Sequence, residues 1–465
     1  MVRFVAVIDL GKTNSKVALV DTINSIEVQV IKQPTPESLD SPYLSMNTDA
    51  IEEFILNSLR ELSSQHTIDA ITVTTHGATA ALINESGQLA MPVVDYEFLE
   101  IDELREEYEH HRPEFTDCGS PCLPGGLNIG AQLFWQQKKH HAQFQKVHTV
   151  LTWPQYWVFK LTGNRHNDVT SLGCHTDLYE PYKRQYSSLI RHQNWQALMP
   201  PTKRSGEFIG NLIETIANKI ALPPSLPVHT GIHDSNASLV PHLVNQPAPF
   251  SVVSTGTWFI SMAIGGKSVE LDETKDTLIN VNAYDECVPS ARFMGGRERE
   301  IFHTQAAPSE QAMNTLLDHP EPMPLLMPSA VQNTGPYPNA KQQWVGSSLA
   351  GDIETQSCAT TLYLALMTHE CLLLIGACGP TFIEGPLSHD PYYAKMLAVV
   401  SNRPVQLSNA QTGTSVGAAM LISAPKNSPI YTEVIVNNKE RLKLARYAKL
   451  WKRQLNNHCA KPQAI

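Results

Sequence analysis

An apolar strand that ends in an aspartate and turns sharply around one glycine opens the chain, and a unit of similar pattern begins near residue 250. In the first unit residues 4–8 run into Asp9-Leu10-Gly11-Lys12-Thr13-Asn14-Ser15. In the second, Phe250-Ser251-Val252-Val253 runs into Ser254-Thr255-Gly256-Thr257-Trp258. Glycine permits a tight turn with exposed backbone N–H groups, and such groups with nearby hydroxyls form concavities that hold phosphate oxygens. If each turn opens its own domain, the two can grip one polyphosphate from both sides. Neither has the GxxxxGK[ST] spacing of a Walker A loop.

The elements that follow read as α/β. Strands are expected at 16–20 and 26–31, giving an antiparallel meander. A capping cluster, Asn47, Thr48 and Asp49, precedes Ile51, Phe54, Ile55, Leu59 and Leu62, spaced as one helical face. Residues 70–75 alternate as a strand. A dinucleotide-binding unit is excluded, because its first strand runs straight into a helix. A helix is expected at 212–222, ended by Pro223-Pro224, and a strand near 228–231. The polar stretch 241–249 carries prolines and marks the domain boundary, giving domains 1–246 and 247–465. Residues 320–338 read as an irregular, proline-rich excursion. Residues 439–455 read as a solvated basic helix with Leu442, Ala445, Ala448 and Leu455 on one face.

Charge and composition narrow the partners. The formal net charge of -10 disfavours a phosphate backbone, so nucleic acid is not expected as a partner. The opening apolar run is too short for a signal-peptide core, and no stretch approaches the ~18 apolar residues of a membrane span. Eight cysteines are scattered without a CxxC pair, Cys118 and Cys122 included, which reads as reduced thiols and a cytoplasmic location.

Three places carry chemistry. Asp9 can hold hydrated Mg²⁺ against phosphates cradled by its turn, though a polar β-turn without a ligand has the same composition. Gly231-Ile232-His233-Asp234-Ser235-Asn236-Ala237 puts a carboxylate at a strand end, placed to accept a proton from a hydroxyl. The alternative is that Asp234 caps a helix beginning at Ser235. Thr75-His76-Gly77 ends another strand, and a histidine there alone is more often a satisfied structural one.

Together these motifs resemble the FGGY family of carbohydrate kinases, of the actin, hexokinase and Hsp70 ATPase superfamily, with rhamnulokinase-like and fuculokinase-like members most similar. The resemblance runs from Val5 to about Ile422 and includes Leu-Thr-Trp-Pro-Gln-Tyr-Trp-Val-Phe-Lys-Leu-Thr-Gly at 151–163 and Gly-Thr-Ser-Val-Gly-Ala-Ala-Met-Leu at 413–421. It implies two ribonuclease-H-like domains around a central cleft. It also implies phosphorylation of a sugar hydroxyl by Mg-ATP, the sugar being a ketose or deoxyketose such as L-rhamnulose or L-fuculose. Asp234 would be the general base, and Asp9 and Asp234 the metal-side carboxylates. Gly11, Lys12, Thr13, Asn14, Ser15, Thr255, Gly256, Thr257, Gly385, Pro386 and Gly413 would bind nucleotide, the last opening a helix near the adenine. His76, Gly77, Asp95, Asn128, Gln132 and His233 would line the sugar. Partners are then a small sugar and ATP, without nucleic acid or membrane, with a homodimer left open. Glu384-Gly385-Pro386 stands where the family has Gly-Gly, and Gln411 or Thr412 where it has a glutamate.

Two other classes bear weighing. A nucleotide-driven switch or scaffold on the same fold needs no base aimed at a hydroxyl, which Asp234 argues against. A metal-dependent hydrolase would draw on His110, His111, His140, His141 and His175, but none forms HExxH or another zinc spacing.

Overall fold

The computed structural model describes residues 2–40, 42–302, 308–320, 322–346, 353–408, 413–424 and 431–459; Gln411 and Thr412 lie outside them. The chain divides into two compact units. The first is Met1–Asn245 with Ile279–Cys287 and Gln411–Ser428, and the second is Gln246–Leu278, Val288–Ala410 and Pro429–Ile465. Two segments beyond residue 246 therefore join the first unit.

In the first unit β1 (Phe4–Leu10) pairs antiparallel with β2 (Asn14–Asp21), and β2 with β3 (Ile26–Pro34). Successive side chains of a strand point to opposite faces. Thus Ala6, Ile8 and Leu10 enter one core and Val5 and Val7 the other. The first core is closed by α1 (Thr48–Gln65), which starts where Asn47 accepts a hydrogen bond from the Ala50 N–H. Such a cap is worth about 1 kcal/mol. Its buried face is Ile51, Phe54, Ile55, Leu59 and Leu62, and full burial of each Leu or Ile contributes about 1.5–3 kcal/mol.

Next come β4 (Ala70–Thr75), parallel to β1, then α2 (Ile129–Lys139) and α3 (Trp153–Thr162). The sheet is completed by β5 (Phe208–Asn211) and β6 (Pro227–His229), in the order β5-β6-β4-β1-β2-β3, with β7 (Ile232–His233) also paired to β4. The helix expected at 212–222 is shorter, Glu214–Ile220, because Leu212 still bonds Leu226 as an extension of the β5 pairing.

One expectation is overturned at Pro241, which lies inside α4 (Asp234–Asn245) rather than in a linker. Proline there leaves the carbonyl four residues back, that of Ala237, without its helical N–H donor. That oxygen faces Gly417, where a Cβ would come within 1.8 Å of it. The glycine thus lets two helices cross at nearly backbone contact.

The second unit repeats the arrangement. β8 (Phe250–Thr255) pairs antiparallel with β9 (Phe259–Ile264), which pairs with β10 (Cys287–Phe293). After α5 (Ile353–Leu374), β11 (Thr381–Glu384) lies parallel to β8; α6 (Pro391–Ser401) and β12 (Val405–Ser408) follow. The chain then gives α7 (Thr414–Met420) to the first unit and returns as β13 (Tyr431–Glu433) and α8 (Asn438–Cys459). Among the described residues α5 is long and apolar enough to cross a membrane, but Cys358, Leu362, Tyr363 and Met367 of it are fully buried in this unit's core.

The apolar face of α8 differs from the one expected. Leu444, Tyr447, Trp451 and Leu455 are buried, whereas Leu442 is 74% exposed. Two aromatic rings outweigh the alanines, and each finds a polar partner. The Tyr447 hydroxyl donates to Pro324 O and the Trp451 indole to Leu326 O, at 3.1 and 2.8 Å.

Candidate functional site

The turn after β1 is held from within. Gly11 N–H donates to Asn14 O at 2.9 Å, and a Cβ on Gly11 would lie 2.9 Å from that oxygen, so a larger residue does not fit. Thr13 and Asn14 are exposed. Ser15 departs from its expected role as a phosphate donor: it is buried, its hydroxyl 3.0 Å from that of Thr35, which in turn donates to Gly11 O. It braces the turn.

Asp9 and Lys16 face each other across the hairpin. Lys16 Nζ lies 3.3 Å from Asp9 Oδ2 and 3.0 Å from Glu27 Oε1. The hydroxyls of Thr414 and Ser415, at the start of α7, also donate to Asp9 Oδ2. Burial raises the Asp9 pKa, Lys16 and the two hydroxyls oppose this, and the charge of Asp234 adds to it. Gly413 sits beside the same group, a Cβ there being 3.7 Å from both Lys16 Nζ and Glu27 Oε1. This places it in the first unit with the β1 turn.

Asp234 stands where β7 becomes α4. Its Oδ1 accepts from the adjacent Ser235 N–H at 2.6 Å, not from the second or third helical N–H that a capping side chain serves. Its side chain remains 30% exposed. Burial of the carboxylate raises its pKa, and the neighbouring His76 works against that rise. His233 Nε2 is 3.3 Å from Asp234 Oδ1, and burial pushes the His233 pKa down to about 4, so the ring is neutral at pH 7. The other ring nitrogen of His233 meets Asn236 at 3.3 Å. Gly77 makes room for that ring: a Cβ on Gly77 would be 2.9 Å from His233 Nε2.

His76 is also buried. Its Nδ1 bonds Gly77 O at 2.9 Å, its ring lies edge-on to Tyr96, and among the described residues its Nε2 has no hydrogen-bond partner. A buried nitrogen left bare is costly, and a ligand hydroxyl would satisfy it. Asp95 is 1% exposed and accepts from the Lys12 ammonium, the Ser38 hydroxyl and the Glu97 N–H. Burial pushes its pKa up, but the Lys12 and Ser38 contacts outweigh that and hold it below the usual carboxylate range.

Two expected sugar contacts are otherwise engaged. Asn128 is fully buried, with Oδ1 on Leu123 N–H and Nδ2 on Ser120, Pro121 and His175, so it ties loops together. Gln132 donates to the carbonyls of Ala78 and Gly126, supporting the residue after Gly77 from behind.

In the second unit the turn after β8 is also closed by its glycine, one residue tighter. Gly256 N–H donates to Trp258 O at 3.2 Å, and Gly256 and Thr257 are exposed. The buried Thr255 hydroxyl donates to Glu384 O at 2.5 Å and accepts from Leu387 N–H at 3.1 Å. Gly385 has φ +81, and a Cβ there would meet Thr255 O at 2.7 Å. Pro386 opens the short 3₁₀ turn Pro386–His389. Thr255 thus locks the 384–387 loop to the strand end.

The donor set fits Mg²⁺ in one way. Among the described residues no three His, Cys, Asp or Glu side chains form a cage. Magnesium is commonly held by one or two carboxylates plus substrate phosphates and waters, and the mutual repulsion of Asp9 and Asp234 is what a cation would relieve.

Lys16, Thr414, Ser415, Ser38 and Tyr96 were not expected here. Hairpin register opposite Asp9 points to Lys16; no local pattern marks the others.

Comparison with known proteins gives the family of the chain. The N-terminal domain of the FGGY family of carbohydrate kinases matches residues 4–241, and the FGGY C-terminal domain matches residues 247–429. L-fuculokinase of Salmonella typhi is 28% identical over 274 residues, 57% of this chain and 57% of that protein. L-fuculokinase of Escherichia coli K12 is 25% identical over 279 residues, 58% of this chain and 57% of that protein. The matched stretch therefore spans little more than half of those relatives. A carbohydrate kinase from Novosphingobium aromaticivorans superposes with TM-score 0.89 at 31% identity, covering 97% of this chain and 100% of that one. A xylulose kinase from Lactobacillus acidophilus, at 13% identity and TM-score 0.77 over 99% of each chain, shares the fold.

Proposed function

Because the chain belongs to the FGGY family of carbohydrate kinases, we propose that it transfers the γ-phosphoryl group of ATP to a hydroxyl of a neutral ketose or deoxyketose. The observation that carries this reading is Asp234: a carboxylate at a strand end, partly exposed, flanked by a neutral His233 and close to His76. A pure nucleotide switch has no need of that constellation.

In the proposed reaction the acceptor hydroxyl gives its proton to Asp234 as it attacks the γ-phosphorus. Burial raises the pKa of Asp234, which makes its carboxylate a stronger base than that of an exposed aspartate. His76 Nε2 and Asp95 hold other acceptor hydroxyls, and each buried polar group left unpaired by a wrong acceptor penalises it. In this reading the exposed turn residues Thr13 and Asn14 are phosphate-binding residues of the first unit, and Gly256 and Thr257 are phosphate-binding residues of the second. Lys16 adds positive charge beside Asp9. When bound, Mg²⁺ neutralises phosphate charge; Asp9 is the residue that would orient it through water, with Asp234 nearby. Positioning and charge neutralisation supply most of the catalysis in phosphoryl transfer.

The fuculokinase relatives support a ketose acceptor. The test is ADP release with Mg-ATP across L-fuculose, L-rhamnulose, L-ribulose, D-xylulose and glycerol. The reading expects one ketose to raise release well above the acceptor-free rate. Stimulation by none of them, with nucleotide bound, contradicts it.

A further inference from the structure

Lys12 belongs to the turn whose neighbours face phosphate in the reading above, yet its ammonium is turned away to Asp95. It also lies 3.4 Å from Glu97 Oε2 and 5.0 Å from the centre of the Tyr96 ring. Asp95 is 1% exposed and takes the Ser38 hydroxyl on the same oxygen. Lys12, Ser38, Asp95 and Glu97 border a pocket of about 320 Å³ in the first unit, to which Leu44 and Met46 add an apolar wall. The same Tyr96 ring lies edge-on to His76, at 5.4 Å between ring centres, so Lys12 and His76, whose Nε2 has no partner among the described residues, share one neighbourhood.

We infer that Lys12 is a specificity-determining residue of the acceptor side, and not a phosphate ligand. Its ammonium keeps Asp95 ionised and fixed, and the pair forms the polar end of a pocket for a neutral polyhydroxyl molecule. Removing Lys12 leaves a buried carboxylate without its cation, and a group in that state is unfavourable and no longer held in place. The charges define the class of acceptor further. Glu37, Asp95 and Glu97 line the pocket with Lys12 as the cation against them, so an acceptor bearing a carboxylate meets net repulsion. A deoxy carbon finds Leu44 and Met46. The inference rests on the kinase reading only for its acceptor half.

The test uses the full chain and its Lys12→Met and Lys12→Arg variants. Lys12→Met is expected to raise the acceptor KM tenfold or more with the ATP KM within twofold, and Lys12→Arg to recover most of the loss. The wild-type chain is expected to use a neutral ketose at least a hundredfold better than gluconate. A tenfold rise in ATP KM with an unchanged acceptor KM overturns the inference, as does equal use of gluconate. Calorimetric titration with Mg-ATP in the absence of any acceptor gives a separate reading. Unchanged affinity in Lys12→Met supports the assignment, and a tenfold loss overturns it. If the wild-type chain phosphorylates no acceptor, the kinase reading fails, and this titration still decides whether Lys12 contacts nucleotide.

Discussion

Nε2 of His233 lies 3.3 Å from Oδ1 of Asp234, on consecutive residues where a two-residue strand becomes a helix. Consecutive side chains of a strand normally diverge; here the helical turn at Asp234 brings them together. Asp234→Asn keeps the shape and removes the base. We expect phosphoryl transfer to fall at least a thousandfold, while Mg-ATP affinity in a calorimetric titration stays within a few-fold.

The room for that pair depends on Gly77. A methyl group there would press on His233 Nε2 at 2.9 Å. Gly77→Ala should cost about 1–3 kcal/mol, as overpacking does, and should lower kcat more than it raises the ATP KM. Urea unfolding together with steady-state kinetics reads both; a variant with wild-type kcat would show that the His233 position does not matter.

Asp9 is positioned by Lys16, Thr414 and Ser415, all on one oxygen. Asp9→Asn should increase the Mg²⁺ concentration needed for half-maximal turnover several-fold, and chelation of the metal should abolish turnover in the wild-type chain. A magnesium titration of both proteins checks this. Identical curves would remove Asp9 from the metal side.

Acid stability has a specific contributor away from the site. His166 is 2% exposed, and burial pushes its pKa down to about 4, below the ordinary value near 6.5. The unfolded chain therefore takes up this proton first as pH falls. Stability attributable to the neutral ring is intact above about pH 6.5 and is lost down to about pH 4, on the order of 3 kcal/mol in all. Chemical denaturation at several pH values should show His166→Gln with a flatter pH dependence across that window than wild type.

The basic C-terminal helix supports the second unit through apolar contact. Trp451→Ala should destabilise it by about 3–5 kcal/mol, the usual range for a buried large aromatic. A lowered urea midpoint would show this. Leu442→Ala, at a 74% exposed position, should leave the midpoint unchanged.

The parts of this account legible in the sequence are those encoded locally. Strand alternation, the Asn47 cap and the Gly11 and Gly256 turns each follow from a few neighbouring residues, and they are enough to indicate the α/β class. Alanines at helical spacing point to a different face of α8 from the one that packs, because burial of Tyr447 and Trp451 decides the orientation. Pro241 reads as a breaker until Gly417, distant in sequence, is seen beside the carbonyl it frees. Asn128 and Lys12 have the right chemistry for ligand contact, but their partners lie on other loops, Ser120 and His175 for one and Asp95 for the other. Thr414 and Ser415 reach Asp9 across some 400 residues of chain, as the separation of 405 for Thr414 records, and no local pattern carries that information.

The central claim is that Asp234 takes the proton of an acceptor hydroxyl during phosphoryl transfer. Its most direct test is a single-turnover reaction with γ-labelled ATP and the best ketose acceptor, comparing the wild-type chain with Asp234→Asn. The account predicts label on the sugar for the wild type alone, with both proteins binding ATP. Label transferred at similar rates by both would contradict it.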